Sequence, residues 1–103
     1  MKNFKKLFSG ALVFSAITGT ALNAYALSVA NGELQYDGGQ TSSIVYSHIF
    51  DAKPTNDNYY KVKATVKVGS NTTSSGWVND DGYAEAYRSL WHNESSYYDY
   101  YLR

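Results

Sequence analysis

The residues able to do acid–base or nucleophilic chemistry are few in this sequence. It has two histidines, His48 and His92, and no cysteine. Ser47 precedes His48 on a predicted strand, where adjacent side chains point to opposite faces, so the two cannot form a nucleophile–base pair. The HExxH and GxSxG motifs and a phosphate-binding glycine loop are also missing from the sequence. We therefore predict that the protein is not an enzyme.

Carboxylates and amides offer the next group of candidates. Asp80 and Asp81 precede a glycine, and a turn accounts for this pair. The oxygen-rich stretch that contains Asp51 and residues 56–58 is either a solvated loop or a weak calcium site. EF-hand spacing fails there, because Val62 stands where the closing glutamate is needed. We expect no metal and no cofactor.

Two surface features could bind a ligand. Lys61, Lys63 and Lys67 form a row that is either a solvated face, which also discourages edge pairing, or a contact for a phosphate-bearing lipid or polymer. The tyrosines of residues 97–101 populate both faces of a predicted strand, so one face is either a simple aromatic edge or part of an interface. With the two tryptophans, the candidate binding residues are Lys61, Lys63, Lys67, Trp77, Trp91, Tyr98, Tyr100 and Tyr101.

The elements that must position these residues are strands. Tyr60–Val68 alternates between apolar residues and lysine or threonine, the pattern of a half-buried antiparallel strand. The other predicted strands are Leu34–Asp37, Ser43–Phe50, Ser75–Asn79, Gly82–Ser89 and Tyr97–Leu102. Turn signals separate them, and Asn79–Gly82 is a strong hairpin signal. Residues 88–96 form either a loop or a single helical turn. The expected fold is all-β: a small antiparallel β-sandwich of about six short strands.

A change of composition at Ala26 predicts the domain organisation. Residues 1–26 have lysines at the start, an apolar core and small residues at 24 and 26, which is typical of a signal peptide cleaved between Ala26 and Leu27. An uncleaved membrane anchor is the alternative, but polar residues interrupt the apolar stretch. We expect a secreted domain over residues 27–103.

Composition limits the partners of this domain. Residues 27–103 hold six basic and nine acidic residues, a net charge of −3 that argues against nucleic acid as a partner. Without cysteine the domain has no disulfides, so packing or association must stabilise it. A chain this short builds a marginal core, which leaves a homo-oligomer open.

Five stretches, in this order, resemble the lactococcin 972 family of secreted bacteriocins. They cover nearly all of residues 27–103, and the ordered set with its aromatic carboxyl end is more specific than any single motif. The stretches are Gly32 with Tyr36-Asp37-Gly38, Ser42-Ser43-Ile44-Val45-Tyr46-Ser47, Lys63-Ala64-Thr65-Val66, Gly82-Tyr83-Ala84-Glu85-Ala86 and Ser96-Tyr97-Tyr98-Asp99-Tyr100-Tyr101.

This resemblance implies an unmodified antibacterial polypeptide that folds as a small antiparallel β-sandwich and is able to form a homodimer. It further implies binding to the cell-wall precursor lipid II and blocked septum formation, rather than pore formation. Secretion machinery and a separate immunity protein are then expected partners. The alternative is a non-toxic secreted or cell-surface binding module with the same fold.

Overall fold

The computed structural model describes residues 7–14, 24–89 and 91–103, and these residues contain strands and no helix. All strand pairings are antiparallel. The strands within the described residues are β1 (Phe8–Phe14), β2 (Ala24–Val29), β3 (Leu34–Gln40), β4 (Ile44–Asp51), β5 (Tyr60–Val68), β6 (Asn71–Ser74), β7 (Val78–Asn79), β8 (Asp81–Tyr87) and β9 (Glu94–Leu102).

The strands form two sheets that pack face to face. The first sheet has the order β1-β9-β5-β6, and the short β7 pairs with the same edge of β5 as β6 does. The second sheet has the order β2-β3-β4-β8. The expected all-β antiparallel sandwich is therefore confirmed.

The core lies between β5 of the first sheet and β3 and β4 of the second. Every second residue of β5 from Tyr60 to Val68 is buried, and the residues between them are partly exposed, as the alternation predicts. Leu34, Tyr36 and Ile49 fill the opposite side and are almost fully buried. The lysines of β5 consequently point away from the core.

The Asn79–Gly82 turn is not a hairpin, and this prediction was wrong. Residues 78–79 pair with β5 of the first sheet, whereas β8 pairs with β4 of the second. The chain changes sheets at Asp80, which takes the positive φ of 63°. The Asp80 carboxylate holds this corner by accepting hydrogen bonds from the Tyr60 amide at 2.9 Å and from Arg103 Nη2 at 2.7 Å.

The predicted strand Ser75–Asn79 is mostly not a strand. Gly76 has a φ of +69°, which breaks the extended backbone. Ser75 still bonds to β5. Its hydroxyl accepts a hydrogen bond from the Ala64 amide at 2.9 Å, and its own amide donates one to the Ala64 carbonyl at 2.9 Å. The strand that pairs here is instead β6, after a tight turn at Gly69 with φ +60°.

For residues 88–96 the sequence allows a loop or a helical turn. In the structure, residues 88, 89 and 91–93 form a loop, and residues 94–96 are the start of β9. Glu94 is 2% exposed and anchors the loop end. Its carboxylate accepts hydrogen bonds from Gln40 Nε2 at 2.5 Å, the Ser89 amide at 2.9 Å and Arg88 Nε at 3.2 Å. A buried carboxylate with three donors is a satisfied structural group.

Two stretches of the predicted signal peptide pair with the sandwich. β1 pairs along β9 from Phe8 opposite Tyr100 to Phe14 opposite Glu94. Residues 24–26 form the first half of β2, so the predicted cleavage site lies in the middle of that strand. The lysines at positions 2, 5 and 6, and residues 15–23, lie outside the described residues.

Candidate functional site

Several of the candidate binding residues share the outer face of the first sheet. Lys61, Lys63 and Lys67 point outward from β5, because the alternate residues of that strand fill the core. Tyr101 on β9 lies opposite Lys61 in the sheet register. We call Lys61, Lys63, Lys67, Trp77 and Tyr101 the lysine face.

Trp77 connects the lysines to the tyrosine on this face. It lies in the irregular segment between β6 and β7, and its ring is 4.9 Å from that of Tyr101 between centroids. Lys63 Nζ lies 4.9 Å from the Trp77 ring centroid, within cation–π range. An apolar pair of rings and an ammonium group are thus in direct contact on the surface.

The electrostatics of the lysine face are positive although the domain is acidic. Along the paired outward positions of β5 and β9, three lysines face a single carboxylate, Asp99, which lies opposite Lys63. Asp99 also accepts a hydrogen bond from the Ser9 hydroxyl of β1. A local excess of ammonium groups attracts anionic ligands even on a protein of net negative charge.

Tyr98 and Tyr100 do not join the lysine face. Both point into the sandwich, where the Tyr98 ring lies 4.6 Å from the Tyr36 ring and Tyr100 is 8% exposed. The Phe8 ring of β1 stacks on Tyr100 at 5.0 Å. As expected, these tyrosines are divided between the two faces of β9: Tyr101 points outward, and Tyr98 and Tyr100 point inward.

Trp91 is a separate exposed aromatic residue. It is 85% exposed in the loop before β9, near the Lys67 end of β5 rather than the Trp77 end. In the same loop, the Ser89 hydroxyl lies 2.9 Å from His92 Nδ1 and accepts the Trp91 amide at 3.3 Å. These contacts stabilise a turn. Trp91 is therefore separate from the Trp77–Tyr101 pair.

A second candidate surface lies on the outer face of the second sheet, and the sequence did not reveal it. A groove of about 530 Å³ lies there, lined among others by Asp37, Tyr46, His48 and Tyr83. Ser47 stands between Tyr46 and His48 in the sequence, but its side chain points to the core and is fully buried, as the strand alternation predicts. His48 Nε2 lies 2.7 Å from the Asp81 carboxylate. The sequence holds no local signal for it, because the lining residues come from four strands, β2, β3, β4 and β8, that meet only in the folded sheet.

Other kinds of site are not visible in the part of the chain that the structure describes. Residues 7–14, 24–89 and 91–103 include no group of three or more histidine, cysteine, aspartate or glutamate residues placed to hold a metal ion. They also include no helix long and apolar enough to cross a membrane.

Comparison with protein-family models, with curated proteins and with solved structures gives no significant match. The features that bear on function are the geometry of the two outer faces and the resemblance of the sequence to a known family.

Proposed function

We propose that this chain is a secreted antibacterial polypeptide that binds the cell-wall precursor lipid II and so blocks septum and cell-wall synthesis. The observation that carries the proposal is the lysine face, which combines three ammonium groups with the Trp77–Tyr101 ring pair. The ordered resemblance to the lactococcin 972 family supports the same function.

The chemistry of the lysine face suits a ligand with a pyrophosphate head and an apolar tail. Lys61 and Lys63 lie two residues apart on one face, about 7 Å along the strand, and their flexible stems can converge on one phosphate group. Trp77 and Tyr101 present apolar ring surface with polar tips, the composition that binding surfaces and membrane interfaces favour. One amphiphilic molecule can therefore contact both parts at once.

The edge of β9 is a candidate contact for the homodimer that the resemblance implies. If the chain is cleaved between Ala26 and Leu27, β1 leaves with the signal peptide and the β9 edge loses its partner strand. An uncovered edge presents unpaired backbone N–H and C=O groups, which pair readily with another strand. We propose that a second copy covers this edge in the secreted form.

A secreted or cell-surface binding module without toxicity is the second candidate function. The same lysine face supports it, since binding an anionic envelope component does not by itself inhibit growth. Growth inhibition of related bacteria by the purified secreted chain separates the two functions. An adjacent gene for an immunity protein and a dedicated transporter would favour the bacteriocin.

The test of the binding surface uses single substitutions on it. Trp77→Ala and Lys63→Gln are each expected to reduce inhibition, by up to about thirtyfold for Trp77→Ala if this residue is a hot spot worth about 2 kcal/mol. Tyr87→Ser is the matched control, because Tyr87 is 84% exposed on the other sheet. Added lipid II should also antagonise the parent protein. Full activity of both folded variants, with no effect of lipid II, would refute the proposal.

A further inference from the structure

The groove on the second sheet is built from cross-strand rows of outward residues. One row pairs Asp37 of β3 with His48 of β4 and Tyr83 of β8. The neighbouring row pairs Gly39 with Tyr46 and Glu85. Aromatic rings and carboxylates thus alternate across three adjacent strands, on the side of the molecule opposite the lysine face.

The groove exists because small and large residues are placed side by side. Gly39 has no side chain and lies directly beside Tyr46, while Ala24 and Ala26 of β2 continue the low surface. His48 and Tyr83 rise on the other side, with their rings 5.7 Å apart in an edge-on arrangement. The result is an open depression of about 530 Å³ with aromatic walls.

The charge of this face is negative. The outward residues of β3, β4 and β8 include Asp37, Asp81 and Glu85, and none of them is lysine or arginine. The field over the groove therefore favours a cation. The rings of Tyr46 and Tyr83 add the negative faces that attract a cation by its charge rather than by hydrogen bonding.

The carboxylates of this face already accept hydrogen bonds from neighbouring side chains or contact them. Asp37 accepts a hydrogen bond from Gln35 Nε2 at 2.9 Å, and Glu85 accepts one from the Tyr83 hydroxyl at 2.6 Å. Asp81 contacts His48. A ligand that depends on several new hydrogen bonds to these carboxylates would therefore bind weakly there. A cation without N–H donors needs no free hydrogen-bond acceptor, since charge and ring contact hold it.

From this combination we infer that the groove binds a quaternary ammonium group carried on a small ligand. Tyr46 and Tyr83 contact the methyl groups, and Asp37 and Glu85 supply the compensating charge. The site lies on the other sheet and shares no residue with the lysine face. These rings and carboxylates all lie at or after Asp37, so the cleavage between Ala26 and Leu27 proposed above would remove only the rim formed by residues 24–26.

The test is a titration of the purified full chain with choline, followed by NMR shifts of the aromatic and backbone signals. We expect binding on the order of millimolar, as for a single cation–π site. The uncharged tert-butyl analogue of choline, which has the same shape, should bind at least about tenfold more weakly. Equal binding of the analogue, or no choline-dependent shift at the groove, overturns the inference.

Matched substitutions locate the site. Tyr46→Leu removes the ring and Asp37→Asn removes the charge while keeping the acceptor for Gln35, so each should weaken choline binding about tenfold. Tyr46→Phe keeps the ring, and Asp57→Asn removes an exposed loop carboxylate elsewhere, so both should bind as the parent does. Binding of N-acetylglucosamine in place of choline, with the same dependence on Tyr46, would also overturn the assignment.

Discussion

Hydroxyl groups connect the two sheets through the middle of the core. The Tyr36 hydroxyl of β3 contacts the Ser96 hydroxyl of β9, which donates to the Tyr46 carbonyl at 2.9 Å. The Ser47 hydroxyl of β4 donates to the Tyr97 carbonyl at 2.6 Å. Buried polar groups specify one packing arrangement when all of them are paired, and these bonds fix how one sheet lies on the other.

Burial of Tyr36 predicts a loss of stability at alkaline pH. Removal from water raises the pKa of Tyr36 from 10.0 to about 12, against a smaller opposing effect of its hydrogen bond with Ser96. The raised pKa gives stability that is fully present below pH 10, the value for the unfolded chain, and is lost as pH rises towards about 12. Its full extent is about 3 kcal/mol.

The measurement is the unfolding free energy of the parent and of Tyr36→Phe at neutral pH and at about pH 11. The variant should be less stable by about 1 kcal/mol at neutral pH, because the hydroxyl bond is lost. It should also lose less stability than the parent on going to high pH. Tyr87→Phe, at an exposed position, should follow the parent. Parallel pH profiles for the parent and Tyr36→Phe would contradict the prediction.

Strand β5 is the element on which both the core and the lysine face depend. Val66 is fully buried on it, and Lys67 points outward. Val66→Asp places an unpaired charge in the core and should abolish cooperative unfolding. Lys67→Gln should change the unfolding free energy by no more than about 0.5 kcal/mol. Thermal melts followed by circular dichroism measure the stability of both variants. Similar losses of stability in the two would contradict the assignment of Val66 to the core and Lys67 to the outer face of β5.

The elements with strong local patterns were predictable from the sequence. The bounds of β5 agree with its alternation from Tyr60 to Val68, because one face is buried along its whole length. The corner at Asp80 was recognised as a turn but not as a crossing between sheets. A turn sequence encodes a local backbone reversal, whereas the partner of the following strand is decided by contacts far away in the chain.

The candidate site was predictable only in part, for the same reason. The lysines of the lysine face follow from alternation within one strand. The choice of Tyr101 over Tyr98 and Tyr100 needs the register between β5 and β9. The groove needs Asp37, Tyr46 and Tyr83 from three strands that are not all consecutive. Pairing between distant strands is set by the packed core and leaves no local signal.

The two outer faces of the described sandwich carry opposite charges. The lysine face covers the first sheet, and the carboxylates around the groove cover the second. The two faces lie on opposite sides of the packed core, and salt screens the field of exposed charges within about 10 Å, so each face keeps its own local field. An anionic ligand and a cationic ligand can therefore bind to the same molecule on opposite sides.

Processing is the prediction at the scale of the whole chain. We expect the secreted form to begin at Leu27, as the small residues at positions 24 and 26 indicate. Intact-mass and amino-terminal analysis of culture supernatant measures this directly. A product that keeps Met1 and stays with the membrane would contradict it.

The position of the predicted cleavage site within β2 has a consequence for the order of folding and processing. In the folded chain Ala26 and Leu27 pair with Asp37 and Tyr36 of β3. A peptidase needs the scissile bond free and extended, and an export channel needs an unfolded chain. If the chain is exported and cleaved as predicted, folding and export compete in time, because a precursor that completes its sandwich inside the cell shields its own cleavage site. Substitutions that speed folding should then lower the secreted yield even as they stabilise the protein.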